Sequence, residues 1–403
     1  MLKNLFLSSL VGVTFVVSSS FAAAPKLNAA GVNALGLKVI SKVRSQSPKA
    51  NIFISPLSLH EAMSMVYSGS LGTTRAELAK FLGLGKSDPE EVSEAYATLH
   101  HALRSADPKV ILNIANSMWA NSDQRVKFTK EFVKLNERGH DAQIVERNFQ
   151  DKGFVGEVNQ WCSDHTQKKI TDVLKGPIRK EQLFYLINAI YFKGAWQTEF
   201  DKKVTRDGQF HAASGLKVKA HMMNQDGKYP YAENTDAQAV KLPYGKDGRV
   251  AMAVYLPKAG RESAFLTKLD AQVAALSKAM ASKKGSVELP RFKVRYNNEK
   301  VVELFQALGL TGVFTDAAEL GGIAEGEEAK INKIIHQAVV EVNEEGTEAA
   351  AVTVIGGVRA TSIHPVEIPF RLVADRPFYY EIVDNELGLT LFSGILNEAK
   401  ESE

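Results

Sequence analysis

The segment NEEGTEAAAVTVIGGVRATS, residues 343–362, carries two incompatible local preferences. EEGTEAAA favours helix by propensity, VTVI favours strand, and no large side chain anchors either half. A helix here would be ended early by the β-branched and glycine residues 352–357. A linker fits poorly, because the strand-like runs RPFYYEIVD and GLTLFSGIL follow closely, and HQAVVEVNEEG, also strand-like, precedes. Small side chains with a mixed signal suit a segment that must serve in two conformations.

Around it lies a chain of 403 residues, 45% hydrophobic and 24% charged, the composition of a globular protein. The formal net charge is +3, too weak a field for a nucleic-acid partner, and no basic run is interleaved with aromatics. At the N-terminus, Lys3 precedes an apolar run from Leu5 to Val17, broken only by Ser8, Ser9, Gly12 and Thr14, and then the stretch Ser18 to Ala24, small apart from Phe21. This pattern reads as a secretory signal peptide, residues 1–22, cleaved near Ala22. The run is short for a membrane span, and no other segment approaches about 20 apolar residues. A soluble, secreted or periplasmic mature chain (residues 23–403) with no membrane partner is therefore expected. Cys162 is the single cysteine, so no internal disulfide can form, and stability must come from a large core. With Trp161 and Val158 beside it on a helical pattern, Cys162 reads as a small buried hydrophobe.

No repeat or Pro/Gly/Ser linker divides the chain, which argues for one large domain. VNALGLKVISKVRSQ has helical spacing at Val32, Leu35, Val39, Ile40 and Val43. NIFISPLSLHEAMSMVYSGS passes from a short strand into a helix with Ser55 as N-cap and Pro56 in its first turn. GTTRAELAKFLGLG suggests a helix capped by its threonines and stopped at Gly83. KVILNIANSMWANS is β-prone, and QLFYLINAIYFKGAW reads as a central strand buried on both faces. Beyond about residue 205 strands dominate: AVKLPYGKDGRVAMAVYLP as a hairpin, GSVELPRFKVRYNN as one alternating strand, and then a helix, NEKVVELFQALGLTGVF, ending at Gly309. The fold class is α+β, with helices early and antiparallel sheet late.

Enzyme and cofactor signatures are missing. GLGKSD looks like the end of a phosphate loop, but Lys80 stands where the first glycine belongs, and SGSLG has the wrong glycine spacing for a nucleophile elbow. His100 and His101 adjoin on a helix and point apart, so they make poor metal partners. Neither catalysis nor a cofactor or metal is expected.

Seven segments in order resemble the serpins. NIFISPLSLHEAMSMVYSGSLGTTRAEL (51–78), VNQWCSDHTQKKITDVL (158–174), NAIYFKGAWQTEF (188–200) and AVKLPYGKDGRVAMAVYLP (239–257) come first. VELPRFKVRY, EEGTEAAA and DRPFYYEI follow, the matches spanning roughly residues 31–396. The resemblance implies a serpin fold of eight or nine helices and three β-sheets, an inhibitory type, and a secreted member of bacterial source. It makes 343–362 the hinge and reactive-centre loop, with the hinge at Glu344, Glu345, Gly346, Thr347, Glu348, Ala349, Ala350 and Ala351. In inhibitory serpins a protease cleaves this loop and is trapped as an acyl-enzyme while the hinge inserts as a new central strand. Implied partners are a serine protease of elastase-, subtilisin- or trypsin-like type, or a cysteine protease, acting on a monomer.

The hinge residues fit such a strand on their own chemistry. In a buried strand, Thr347, Ala349, Ala351, Thr353 and Ile355 would share one face, and all can be buried. The charged Glu348 falls on the other. Gly346 suits a pivot. Inserting the strand would form about ten ladder hydrogen bonds at ~1 kcal/mol net each. Apolar burial adds ~0.8 kcal/mol per CH₂, so the total is on the order of 10 kcal/mol, comparable to the stability of a whole domain. No proline or bulky charged residue interrupts the hinge. Val352, where the family most often has Ala, is a mild departure.

The resemblance also assigns Ser55, Ser58, Asn188 and His336 to a hydrogen-bonded cluster, the shutter, where strands part for insertion. It assigns Trp196 to the breach at the top of the sheet. Taken singly, these would read as a helix cap, a turn former, a core histidine and a core tryptophan. The family's commonest loop spacing from Gly346 places the cleaved bond at Ala360–Thr361. A loop one residue shorter places it at Arg359–Ala360, where Arg359 would suit a trypsin-like enzyme. EEVSEAYATLHHALRSADPK mixes acids with Arg104 and Lys109, so no heparin-type site is expected there. The competing reading is a non-inhibitory serpin that binds, carries or stores.

Overall fold

The computed structural model describes residues 27–104, 107–325, 330–347 and 368–401. The expected signal segment 1–22 and most of the expected reactive-centre loop, including Glu348, Ala349, Ala350, Ala351, Arg359, Ala360 and Thr361, lie outside the described residues.

Nine α-helices occur among the described residues: α1 (Ala29–Gln46), α2 (Pro56–Gly69), α3 (Gly72–Leu82), α4 (Pro89–Arg104), α5 (Lys130–His140), α6 (Phe154–His165), α7 (Glu262–Thr267), α8 (Leu269–Ala279) and α9 (Val301–Ala307). The central sheet has six strands: β2 (Val110–Asn121), β4 (Gln143–Arg147), β5 (Phe184–Ala195), β11 (Phe292–Asn298), β13 (Ile334–Asn343) and β14 (Gly346–Thr347). Their order is β11-β13-β14-β5-β2-β4. A nine-stranded sheet contains β1 (Ile52–Ile54), β6 (Arg206–His211), β7 (Lys217–Glu233), β8 (Ala237–Pro243), β9 (Val250–Pro257), β10 (Ala281–Pro290), β15 (Phe370–Val373), β16 (Phe378–Asp384) and β17 (Leu389–Leu396). β3 (Lys127–Phe128) and β12 (Ala324–Glu325) form a third, small sheet. The α+β class with nine helices and three sheets is the expected one.

β5 explains why the central sheet is sandwiched. Its even residues Phe184, Leu186, Ile190 and Phe192 enter the main core, while Tyr185, Ile187 and Ala189 enter a second core under α6 with Phe154, Val158, Trp161 and Cys162. Successive side chains of a strand face opposite sides, so a strand apolar at every position must be covered twice. α2 is buried along its whole length and runs beneath this sheet. Its start is the expected one: the Ser55 hydroxyl accepts from Ser58 N–H at 3.1 Å, with Pro56 as first helical residue. Cys162 is buried and its thiol pushed up to about 12 by desolvation, which fits a core residue.

Two local expectations are corrected. GSVELPRFKVRYNN is two strands, not one: β10 belongs to the nine-stranded sheet and β11 to the central sheet, with the crossing at Arg291. The inward phase changes there, from Val287 and Leu289 to Phe292 and Val294, so a single pleated strand could not bury both sets. The threonines do not cap α3 either. Leu71 occupies the N-cap without a side-chain bond, and Glu319 supplies the acceptor, 2.5 Å from Thr73 N. A carboxylate from a remote loop satisfies the exposed N–H groups and the positive helix end.

Candidate functional site

The central sheet has one irregular seam. β13 and β5 pair in parallel from Ile334 opposite Leu186 to Val339 opposite Tyr191. Above Val339 they part, and β14 sits between them. Gly346 lies opposite Asn343 and Ala195, and Thr347 opposite Val342 and Gly194. The chain, at the residues expected to form the hinge, therefore leaves β13 by a tight reversal and pairs as β14 in the gap. Gly346 is required there: at φ +146° it is in glycine territory, and a Cβ would stand 2.1 Å from the Gly194 carbonyl oxygen. Thr347 is wholly buried, its hydroxyl 2.7 Å from the Tyr244 hydroxyl.

Trp196 closes the top of this gap. Its ring stacks on Tyr244 with centroids 4.3 Å apart, and its Nε1–H donates to Asn343 O at 2.9 Å. Backbone bonds from Trp196 N to Glu345 O and from Phe200 N to Glu344 O hold the reversal from one side. The Glu344 carboxylate, almost fully buried, is held by Arg291 through Nε and Nη2 at 2.6–2.9 Å and by Thr205 Oγ1 at 2.6 Å. Burial raises the pKa of Glu344, but these hydrogen bonds outweigh it and hold the carboxyl below its usual range. Lys202 pairs with Glu345.

Lower on the same seam, Ser55, Ser58, Asn188 and His336 are brought together, all buried. His336 and Asn188 are register partners across β13 and β5. Ser55 N–H donates to His336 Nε2 (3.2 Å), so the proton sits on Nδ1 and donates to Asn188 Oδ1 (2.7 Å). The Asn188 amide in turn donates to Ser58 Oγ (2.6 Å) and Asn116 Oδ1 (2.7 Å). One chain of bonds thus runs from α2 across three strands. Desolvation lowers the His336 pKa to about 3, leaving a neutral ring suited to this one-donor, one-acceptor role. Its folded value lies below the ordinary 6.5, so its stabilisation is complete above pH 6.5 and is lost as pH falls towards 3. Native stability should drop over that window, and His336→Gln should flatten this part of a thermal-midpoint profile.

Residue-by-residue reading missed Asn116, Arg291, Thr205, Lys202 and Tyr244. Asn116 gave one weak signal, a lone amide in an apolar strand; the others gave none. Among the described residues no group of His, Cys, Asp or Glu is arranged to hold a metal, and no helix is long and apolar enough to cross a membrane.

Nine helices and three sheets among the described residues, with β14 seated between β13 and β5, match the serpin fold. A family model described as Serpin (serine protease inhibitor) matches residues 30–398. The chain belongs to the serpin family. It is 35% identical to Iripin-3 of Ixodes ricinus over 375 residues, covering 91% of this chain and 93% of that protein. It is 32% identical to the leukocyte elastase inhibitor of Equus caballus over 368 residues, covering 87% and 94%. The crystal structure of Serpin48 from Tenebrio molitor superposes with a TM-score of 0.81 at 25% identity, covering 92% of this chain and 98% of that one.

Proposed function

We propose that the protein is a suicide inhibitor of serine proteases, not an enzyme, and that cleavage of its loop drives the hinge into the central sheet. The observation that carries this reading is β14. The chain enters the gap between β13 and β5 as a strand, with Thr347 facing inward as a hinge strand requires. In sequence, that alternation would carry Ala349, Ala351, Thr353 and Ile355 inward and Glu348 outward, so no charge faces inward as far as Ile355. Ser55, Ser58, Asn188 and His336 act as the gate lower down, and Trp196 with Arg291–Glu344 as the clasp above. The cleaved bond is Ala360–Thr361, with Arg359–Ala360 as the alternative. Similarity to a leukocyte elastase inhibitor supports an elastase- or subtilisin-like target over a trypsin-like or cysteine protease. The segment 1–22 directs a bacterial protein to the periplasm or the outside.

Incubation with elastase and with trypsin, followed by a denaturing gel, tests the proposal. A covalent complex of the summed mass is expected with one of them, and the released C-terminal peptide should begin at Thr361, or at Ala360 for the alternative bond. Clean cleavage without a complex would instead favour a binding, carrier or storage serpin.

A further inference from the structure

One buried polar cluster belongs neither to the hinge nor to the seam. Glu61 lies in the middle of α2 and is fully buried. Two histidines from different helices converge on the same carboxylate oxygen: His100 Nε2 of α4 at 2.9 Å and His140 Nδ1, at the end of α5, at 3.2 Å. The Tyr96 ring packs on His140 with centroids 4.7 Å apart, and its hydroxyl lies 2.5 Å from His60 Nδ1. His60 Nε2–H donates to Leu82 O at 2.8 Å, so both His60 nitrogens are engaged in its neutral form. The histidines share one oxygen instead of surrounding a common point, so the arrangement suits an ion pair and not a metal.

A carboxylate this deep needs a countercharge. Burial lowers the pKa of His60 to about 4 and removes it as a candidate. For His100 burial also acts downward, but the adjacent Glu61 charge outweighs it and holds the imidazole above its ordinary 6.5. Burial acts upward on Glu61, and the two histidines bring it down to about 2. The other groups facing His100 are Tyr96 and Arg104 on its own helix and Asp141 just after α5. Asp164 and His165 of α6 share with it a cavity of about 300 Å³. That cavity gives the buried pair a route for proton exchange with solvent.

The position of the cluster gives it a mechanical consequence. Glu61 is one turn beyond Ser58, on the helix whose start holds the His336–Asn188 bridge. α4 leads into β2 and α5 into β4, the two strands on the β5 side of the seam. α2 touches β5, α4 and α5 on that side and also packs against β17 of the other sheet, which does not belong to the moving strands. If β5, β2 and β4 move away from β13, α4 and α5 must shift against α2, and the contacts of Glu61 resist that shift. We infer that Glu61, His100 and His140 form a proton-dependent brace on the opening of the central sheet, one that loosens when His100 loses its proton.

The sign follows from linkage. A folded pKa above the unfolded value gives stability that is complete below 6.5 and is lost as pH rises through the folded value. His336 acts in the opposite direction, so the native state is braced best between an acid limb and an alkaline limb, each owned by a different histidine. The inference rests on the helix geometry and needs no protease, so it can fail or stand independently of inhibition.

The test is the thermal midpoint and the rate of polymer formation on mild heating, from about pH 5 to about pH 10, for wild type, His100→Gln, His100→Lys and Glu61→Gln. Wild type should lose about 2 °C or more on the alkaline side, with polymer formation accelerating by up to about tenfold per pH unit within the limb. His100→Gln should be less stable than wild type near pH 6.5 and below, and should converge with it once wild-type His100 is neutral. His100→Lys should displace the limb to higher pH, and Glu61→Gln should abolish it. An alkaline limb of equal size in His100→Gln, or none in wild type, overturns the inference. Should Glu61→Gln not fold, the two His100 variants still decide.

Discussion

Thr347→Arg should turn the protein from an inhibitor into a substrate. Thr347 is the first inward side chain of the hinge, wholly buried between β13 and β5 and bonded to Tyr244. A guanidinium there has no countercharge, and leaving a charge buried and unpaired costs about 3–5 kcal/mol. Trapping depends on insertion outrunning hydrolysis of the acyl-enzyme. The variant's residue 347 would leave the gap before cleavage. Burying its guanidinium again during insertion adds a barrier of about 3 kcal/mol that slows insertion about a hundredfold, so most encounters should end in released, active protease. Measured as stoichiometry of inhibition, the ratio should rise from near unity by about tenfold or more. Thr347→Val, which keeps the shape and loses only the bond to Tyr244, should stay close to wild type. An unchanged stoichiometry in Thr347→Arg would contradict insertion of this strand.

Glu344→Lys should make the native protein polymerise. The carboxylate is 2% exposed and takes three bonds from Arg291 and one from Thr205. An ammonium in its place would face Arg291 with like charge, at a cost of about 3–5 kcal/mol for breaking a buried pair. The reversal at residues 343–345 would then be held only by backbone bonds and Trp196, and the top of the seam would open. On mild heating, native gels should show ladders of polymer forming at least about tenfold faster than wild type. The double variant Arg291→Glu with Glu344→Lys should recover part of the loss, and its failure to do so would point to Thr205 and packing as the real restraint.

The helices and the central strand were legible because their signals are local. α1 and α2 follow from apolar spacing and a serine cap, and β5 from an apolar run interrupted before its last residues only by Asn188. What escaped the reading depends on residues far apart in sequence. The acceptor that caps α3 lies 246 residues from Thr73. The partner of Glu344 lies 53 residues away, at Arg291, where one apparent strand divides between two sheets. The alternation of GSVELPRFKVRY looks continuous because each half keeps period two, and only the phase slip between Leu289 and Phe292 marks the crossing. Asn116 became meaningful only once register placed it opposite Asn188. For the hinge, the Ser55–Ser58–Asn188–His336 cluster and Trp196, family resemblance supplied the residues, whereas Arg291, Thr205 and the Glu61 cluster came from three-dimensional proximity.

The central claim is that the intact loop withholds a strand from the central sheet. Its most direct measurement is the thermal midpoint before and after a single cut within residues 348–362. Insertion worth on the order of 10 kcal/mol should raise the midpoint by about 10 °C or more. A midpoint that stays put or falls after cleavage would contradict the account.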